Sequence, residues 1–598
     1  MKKFPHKLKE NKTTQLPRRL FFIDTETYGI KGESADLEYH KLRLGVCCCV
    51  RYEKGKWREK WLTFRDNDTL FDFIENNVHS KERAFIFAHN FHFDWAVIDG
   101  FNQLKKRGWN ITKWIIDSQV FIIKARKDNR SLVFLDSGNI IKTKLEKLGE
   151  VLGIEKLKVD FDTVDDKELE IYCKRDVEIL KEFILKWIEF IKIHDLGSFK
   201  LTLASQSFTA FRHRFMKHEI FVHARDDVIA LERMSYRGGR SEAFFIGEIK
   251  GKKFYLLDVN SMYPYVMKEK KYPIKLISVL DDVSIDKLRL ILKHYLCVAH
   301  VRVKIDEPAI GVKRDKLIFP VGEFDCVLTT DELKYLLKTN SILKVYRVAI
   351  YEGEYIFRDY VDYFYNLKRK YKEEGNKVFY QITKLFLNSL YGKFGQRNES
   401  FKVVGEYDGD YNFAIKYYDS EEKKWYYDVY LDGKIYRKEG YYEAFDSFVA
   451  VASHVTAYAR MYLWRLMKIA GLDNVYYVDT DSLLVNEEGF KRLKDYINDY
   501  ELGKLKLEFE TDYICIRGVK DYNFKFKNRI KGIKENAIKI DDNTYIQKQF
   551  LKTRSLLNEK ISGVAVVKNV TKKLKRKYDK GIVTESGRVI PFPLPQAP

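Results

Sequence analysis

From Leu20 to about Lys200 the chain alternates short apolar runs with longer amphipathic ones. LFFIDTETYG, RAFIFAHN and SLVFLDS are short runs of bulky and β-branched side chains, a pattern that predicts strands. KELEIYCKRDVEILKEFILKWIEFI spaces its apolar residues three and four apart and predicts a long amphipathic helix. Together they predict an α/β domain over residues 21–200. From Tyr236 onward the pattern changes. FYLLDVNSMYPYVM and NVYYVDTDSLLV read as strands, and IFRDYVDYFYNLKRKYKEEGNKVFYQITKLFLNSLYGKF as two helices broken near Gly375. Between Ser400 and Tyr442, FKVVGEY, NFAIKYY, KWYYDVYL and KIYRKEGYY are separated by DGD, DSEE and DG turns, which predicts antiparallel hairpins. The absence of a fixed-period repeat, a heptad run or a P-loop excludes solenoid, coiled-coil and nucleotide-hydrolase readings.

Composition sharpens this picture. The 598 residues are 45% hydrophobic and 15% aromatic, which excludes a disordered chain and predicts several folded domains. Lys and Arg number 108 against 86 Asp and Glu, and the +22 excess is spread along the sequence, favouring a polyanionic partner such as nucleic acid. The seven cysteines follow neither zinc nor disulfide spacing, which fits a reducing cytoplasm, the host's if the chain is viral. No apolar run approaches a membrane span, and residues 1–20 lack the apolar core of a signal peptide. They read instead as a flexible basic tail, and PFPLPQAP as a second frayed terminus.

Two groups of carboxylates interrupt the apolar runs. Asp24 and Glu26 are two apart in a strand and share a face, where they repel unless a cation lies between them. FAHNFHFDW adds Asp94, and IYCKRDVEIL adds Tyr172 and Asp176 on one helical face. Asp24, Glu26, Asp94 and Asp176 form a set able to hold two divalent cations about a phosphodiester, with Tyr172 to orient the attacking water. The D-x-E, N-x-x-F-D and Y-x-x-x-D elements, in this order, resemble the three motifs of DnaQ-type 3'-5' exonucleases.

The second group begins with Asp258 at the end of an apolar strand and Tyr263 five residues later. Asp479 and Asp481 fall at the tip of a predicted hairpin. Lys384, Asn388 and Tyr391, at i, i+4 and i+7 of a helix, line one face suited to a triphosphate and a stacked base. D-x-x-S-M-Y-P, K-x-x-x-N-S-x-Y-G-K and Y-x-D-T-D-S resemble motifs A, B and C of family B DNA polymerases and follow the exonuclease set. SYRGGR, with Tyr236, Gly238 and Gly239, resembles that family's Y-x-G-G linker motif. Lys520 and Tyr522 resemble its K-x-Y motif. The compact length, with room for a segment on either side of motif B, is similar to the protein-primed subgroup, the phi-twenty-nine phage type.

The resemblance implies a multidomain α/β and α+β chain. An RNase H-like 3'-5' exonuclease domain (21–200) follows the tail (1–20), and a linker carrying Y-x-G-G and the start of the palm follows it (201–266). Next come palm and a first insertion, terminal-protein region 1 (267–346), fingers (347–395), and a second insertion, terminal-protein region 2 (396–446). Palm with motif C and K-x-Y (447–522), then thumb and C-terminal tail (523–598), complete the right hand.

The resemblance further implies that Asp258 and Asp481 bind two metal ions, Mg2+ or Mn2+, with Asp479 in support, and that Asp24, Glu26, Asp94 and Asp176 bind another two. Lys384 would contact the triphosphate, joined by Lys368, Arg369 or Lys372, while Tyr263 meets the sugar and Tyr391 the nascent pair. Lys393, Tyr236, Gly238, Gly239, Lys520 and Tyr522 would touch DNA. Lys158 in LKVDFD is similar to a catalytic lysine of the subgroup's nuclease, although a solvated K-x-D reads as well. Thr27, His89, Asn90, Phe93 and Ser137 would grip the frayed primer end, with Asp136 and Ser137 equally able to cap the next helix. The implied partners of a monomer are primer-template DNA, dNTPs and a terminal protein, in strand-displacing replication of a phage, virus or linear plasmid. Initiation without a protein primer is the alternative, then a nuclease whose palm only clamps DNA, then a non-catalytic binder supported by charge alone.

Overall fold

The computed structural model describes residues 3–594 apart from 33, 35 and 162. Strand Arg19–Lys31 is the spine of the first domain, and residues 19–23, the apolar half, are buried. It pairs antiparallel with Leu37–Glu53 and parallel with Arg83–Ala88, which pairs parallel with Arg130–Asp136. The hairpin Asn110–Ile116 with Phe121–Lys127 closes that edge. Helix Asp166–Ile193 packs against the spine and Leu37–Glu53 through Leu169, Cys173, Leu180, Ile184 and Trp187, one stripe at helical spacing. Asp165 caps its start by accepting from the Lys167 and Glu168 amides, and Asp166 and Glu168 complement the helix dipole there. All seven cysteines are free thiols buried in the protein, three of them, Cys47 to Cys49, in the strand next to the spine.

Among the described residues the second half holds three larger sheets and two of only two short strands each. The one that carries motifs A and C has Gly247–Val259 at its centre, between Ser482–Asn486 and Leu505–Gly518, with Val475–Asp479 and Ser241–Ala243 beyond. Four antiparallel strands, Tyr272–Val283, Ile342–Glu354, Leu296–Ile305 and Val321–Thr329, with helices Ile285–His294 and Thr330–Lys338, make up the region expected to hold the first insertion, and the sheet runs on to Glu354. Helices Arg358–Glu373 and Lys377–Phe394 form an antiparallel pair that breaks at Gly375, whose φ of +68° suits a residue without a Cβ. The four strands between Arg397 and Glu443 form the hairpin sheet of the second segment.

Two expectations are corrected. Residues 1–20 are not a loose tail beyond the two outside the described residues. His6–Lys7 pair with Phe221–Val222, the Leu8 amide donates to the Ile220 carbonyl at 2.8 Å, and the Leu8 side chain is buried. A sheet edge with free backbone groups accepts even a two-residue strand, and hydrophobic burial holds it there. PFPLPQAP is likewise anchored where it is described, since Pro593–Leu594 pair with Val321–Gly322; residues 595–598 lie outside the described residues. The segment after residue 523 also reaches back to the first domain. Ala565–Lys573 pair with Leu37–Glu53, so Thr544–Phe550 and Ile538–Lys539 extend the sheet of the first domain.

Candidate active sites

In the first domain, Asp24 and Glu26 leave the spine strand on one face, toward helix Asp166–Ile193. Asp94 comes from helix Phe91–Val97, held by a 2.8 Å hydrogen bond from Thr25 Oγ1. Asp176 and Tyr172 come from successive turns of the long helix, so the four carboxylates meet in one buried cluster. Burial, then neighbouring carboxylates, raises Asp24 well above the usual range and Glu26 to about 8, and burial raises Asp94 to about 7. Burial also raises Asp176, whose Oδ1 is buried with no partner among the described residues. Crowded carboxylates and an orphaned oxygen fit a divalent-cation site, whose ligands are oxygens. The nearby Cys173 thiol, pushed up by burial, is no such ligand; it donates to Asp24 at 3.3 Å.

The lysine at this cluster is Lys156, not Lys158. Lys156 bonds Asp176 and lies 4.4 Å from the Tyr172 ring centre, whereas Lys158 is exposed. Both fall in a stretch outside helix and strand, and packing against Tyr172 selects the first. Around the cluster, His89 Nδ1 meets Ser137 Oγ at 2.8 Å, Thr27 Oγ1 meets His40 Nδ1 at 3.0 Å, and Phe93 packs on Phe550. Asp136 is a cap: it accepts from the Gly138 amide and from the amides of Asn90 and Phe91, which fixes Asn90 at φ +67°.

In the second site, Asp258 ends its strand directly opposite Ser482, and the Val259 amide donates to the Asp481 carbonyl at 2.8 Å. That bond ties motif A to motif C. Thr480, at φ +67°, makes the hairpin tip, and its amide donates to the Arg240 carbonyl. Gly239 belongs to that loop; a Cβ there would lie 2.8 Å from Thr480 Cγ2 and 3.2 Å from the Tyr263 hydroxyl. Burial, Asp481 and Glu508 raise Asp258 to about 7, whereas Asp479 is occupied, accepting from Ser241 Oγ at 2.6 Å and 3.6 Å from Lys520 Nζ. Asp258, Asp479, Asp481 and Glu508 line a cavity of about 210 Å³ with Lys527 and Arg529. Crowded carboxylates, with Asp258 pushed up by its neighbours, fit divalent cations here too.

Facing them, Lys384 and Asn388 form the exposed stripe of helix Lys377–Phe394, and Tyr391 stacks on Tyr263 at 4.9 Å between centroids. Of the three candidates for the second cation, Lys368 turns inward: its Nζ donates to Ser261 Oγ at 3.2 Å, and burial with Lys384, Lys372 and Lys506 lowers it to about 8. Arg369 is exposed, and Lys372 is exposed and lies by the Tyr500 ring. Lys393 bonds Ser205 Oγ, Tyr236 packs against Gly395, and Tyr522 stacks on Phe524 at 4.2 Å. Gly238 is exposed.

The family model described as DNA polymerase type B, organellar and viral, matches residues 163–469, which is just over half of the chain. The chain belongs to this family of DNA polymerases. Among its relatives, a probable DNA polymerase of Neurospora intermedia is 26% identical over 376 residues, covering 60% of this chain and 37% of that one. The DNA-directed DNA polymerase of Enterobacteria phage PRD1 is 26% identical, covering 65% of this chain and 66% of its own. The chain spans less than half the length of the first curated relatives it matches. A crystal structure of phi29 DNA polymerase superposes with a TM-score of 0.68 at 18% identity, over 94% of this chain and 100% of that one. The type B polymerase architecture is therefore an exonuclease-type α/β domain followed by palm, fingers and thumb. In that frame the sequence missed Lys156, Cys173, Glu508, Lys527 and Arg529. Of these only Lys156 carried a local signal, its place two residues before Lys158.

Proposed function

We propose that this chain is a DNA-directed DNA polymerase whose first domain is a 3'-5' proofreading exonuclease. The observation that carries the reading is the meeting of Asp258 with Asp481 under the Lys368 and Lys384 side chains, four groups drawn from three distant parts of the sequence. The primer 3'-hydroxyl attacks the α-phosphate of a dNTP in line, and pyrophosphate leaves. Lys384 meets the triphosphate, with Lys368 as its partner, a lysine whose charge burial and neighbouring lysines disfavour until an anion arrives. Tyr263 and Tyr391 form the stacked wall on which sugar and base rest. Two divalent ions, Mg2+ or Mn2+, held by Asp258 and Asp481 and again by Asp24, Glu26, Asp94 and Asp176, supply charge neutralisation and an activated oxygen when bound. In the first domain Tyr172 orients water, and Thr27, His89, Asn90 and Phe93 hold the strand end; Ser137, expected to join them, is fully buried and braces His89 instead.

Solved complexes of phi29 DNA polymerase with primer-template DNA and incoming nucleotides support these partners. The hairpin sheet between Arg397 and Glu443 and the four-stranded insertion support a protein-primed, strand-displacing mode with a terminal protein. The test is a pair of variants. Asp481→Asn is expected to lose primer extension and keep digestion of single strands, and Asp24→Ala to do the reverse. Loss of both activities in either folded variant sinks the two-site reading.

A further inference from the structure

Away from the reacting atoms, one carboxylate reaches the polymerase site through a chain of buried contacts. Glu332 lies in the first turn of helix Thr330–Lys338, in the region expected to hold the first insertion, and is 1% exposed. Both of its oxygens are engaged. Oε2 accepts from the Thr329 amide at 3.0 Å and from Thr329 Oγ1 at 3.1 Å, closing a capping box, and Oε1 accepts from Arg460 Nη2 at 2.9 Å. Arg460 comes from helix Val449–Ala470 and is buried as well. Burial alone would raise the Glu332 carboxyl, yet Arg460 and Arg237 hold it below the usual carboxylate range, so it stands as an anion between guanidinium groups.

The other terminal nitrogen of Arg460 holds the segment that cradles motif C. Nη1 donates to the Arg237 carbonyl at 2.9 Å and to the Gly238 carbonyl at 3.1 Å. The next three residues meet the hairpin tip in turn. Gly239 lies against Thr480, the Arg240 carbonyl accepts from the Thr480 amide at 2.6 Å, and Ser241 Oγ donates to Asp479 Oδ1 at 2.6 Å. Arg237 donates from Nη2 to the Val327 carbonyl at 2.6 Å, on the strand that leads into the Glu332 helix, and its Nε and Nη1 have no hydrogen-bond partner among the described residues. Burial lowers its pKa, and Glu332 is the first group that opposes that shift. One carboxylate therefore offsets two buried guanidinium groups, and removing its charge leaves both of them uncompensated beside the cradle. A buried ion pair adds little net stability over apolar packing of the same volume, so what this one secures is a geometry.

We propose that Glu332 is a positioning residue of the polymerase site: acting through Arg460, it sets segment 237–241 and with it the carboxylates at the motif C tip. The inference rests on the polymerase reading above. Its test is the kinetics of single-nucleotide insertion on a primer-template by the full chain. Glu332→Gln, which keeps the volume and removes the charge, is expected to lower kcat about 10–100-fold, the scale on which a small misplacement of reacting groups costs rate. KM for the dNTP should stay within about twofold, because Lys368 and Lys384 stand on two other helices. Digestion of a single strand by the same preparation is expected to be unchanged. Arg460→Gln should show the same fall, and the double variant Glu332→Gln, Arg460→Gln no more than Arg460→Gln alone, the non-additivity of groups that act as one unit. Glu332→Asp keeps the charge and should recover part of kcat; where Glu332→Gln does not fold, it takes the same measurements, with the fall again in kcat and not in KM. An unchanged kcat, a fall carried by KM or shared by the digestion, losses that add in the double variant, or an Asp variant no better than Gln overturns the proposal. Wild-type insertion is measured first. A wild type that adds no nucleotide overturns the polymerase reading and this one with it, whereas an active wild type beside an equally active Glu332→Gln overturns this one alone.

Discussion

Lys156 and Lys158 show how one side chain acquires a role that its neighbour lacks. Both belong to the same stretch between two helices, but only Lys156 reaches Asp176 and the Tyr172 ring. Among the described residues its charge is the one cation bonded within the four carboxylates, so Lys156→Ala is expected to lower the proposed nuclease turnover roughly 10–100-fold, the usual cost of removing a partner that orients metal ligands. Lys158→Ala should leave it within about twofold, as for an exposed residue without such a partner. Digestion of a 5'-labelled single strand reads the difference, and the opposite ranking would return the role to Lys158. The carboxylates themselves were legible in the sequence because a charge inside an apolar strand is costly and demands a reason. Glu508 and Arg529 were not, because nothing local marks them; Glu508 reaches the cavity only when its strand pairs with the one carrying Asp258, and Arg529 arrives two strands further along the same sheet.

At the scale of elements, periodicity identified the two finger helices, the long helix of the first domain and the four hairpin strands, because each buries a face that its own spacing declares. It missed His6–Lys7, where two residues gain order only from the strand they join. One contact between elements has a pH signature. His194, at the end of the long helix, meets the Tyr363 hydroxyl at 2.8 Å and the Tyr371 hydroxyl at 2.7 Å on the first finger helix. Burial, with Arg214 and Lys370 near, lowers it from 6.5 to about 4. The unfolded chain therefore takes up the proton first, and the stability this neutral ring contributes is present above about pH 6.5 and lost as pH falls toward about 4. The loss should be on the order of 2 kcal/mol once solvent screening is allowed for. Urea unfolding across that window is expected to fall less steeply for His194→Gln than for the wild type. Parallel curves would remove His194 from the account.

The whole molecule is closed on itself by its two ends. The N-terminal segment crosses from the sheet of the insertion, at Phe221–Val222, to the spine strand, and the C-terminal strands complete the first domain's sheet. Leu8 is the apolar anchor of the crossing, and Leu8→Ala is expected to cost about 2–4 kcal/mol, the range for a buried leucine. Because that loss falls on the seam, calorimetry should resolve the first domain's melting from the rest in the variant, whereas a single unchanged transition would make the segment dispensable. None of this closure was legible beforehand. Pairing between strands more than 500 residues apart depends on which edges remain free after each domain has formed.

The seven buried thiols leave the protein with no cysteine at its surface. A cysteine introduced at an exposed position such as Glu421, at a turn of the hairpin sheet, would then be the one a maleimide dye meets, with every native thiol left in place. The same chain would report by fluorescence whether that sheet changes its surroundings when primer-template DNA is added.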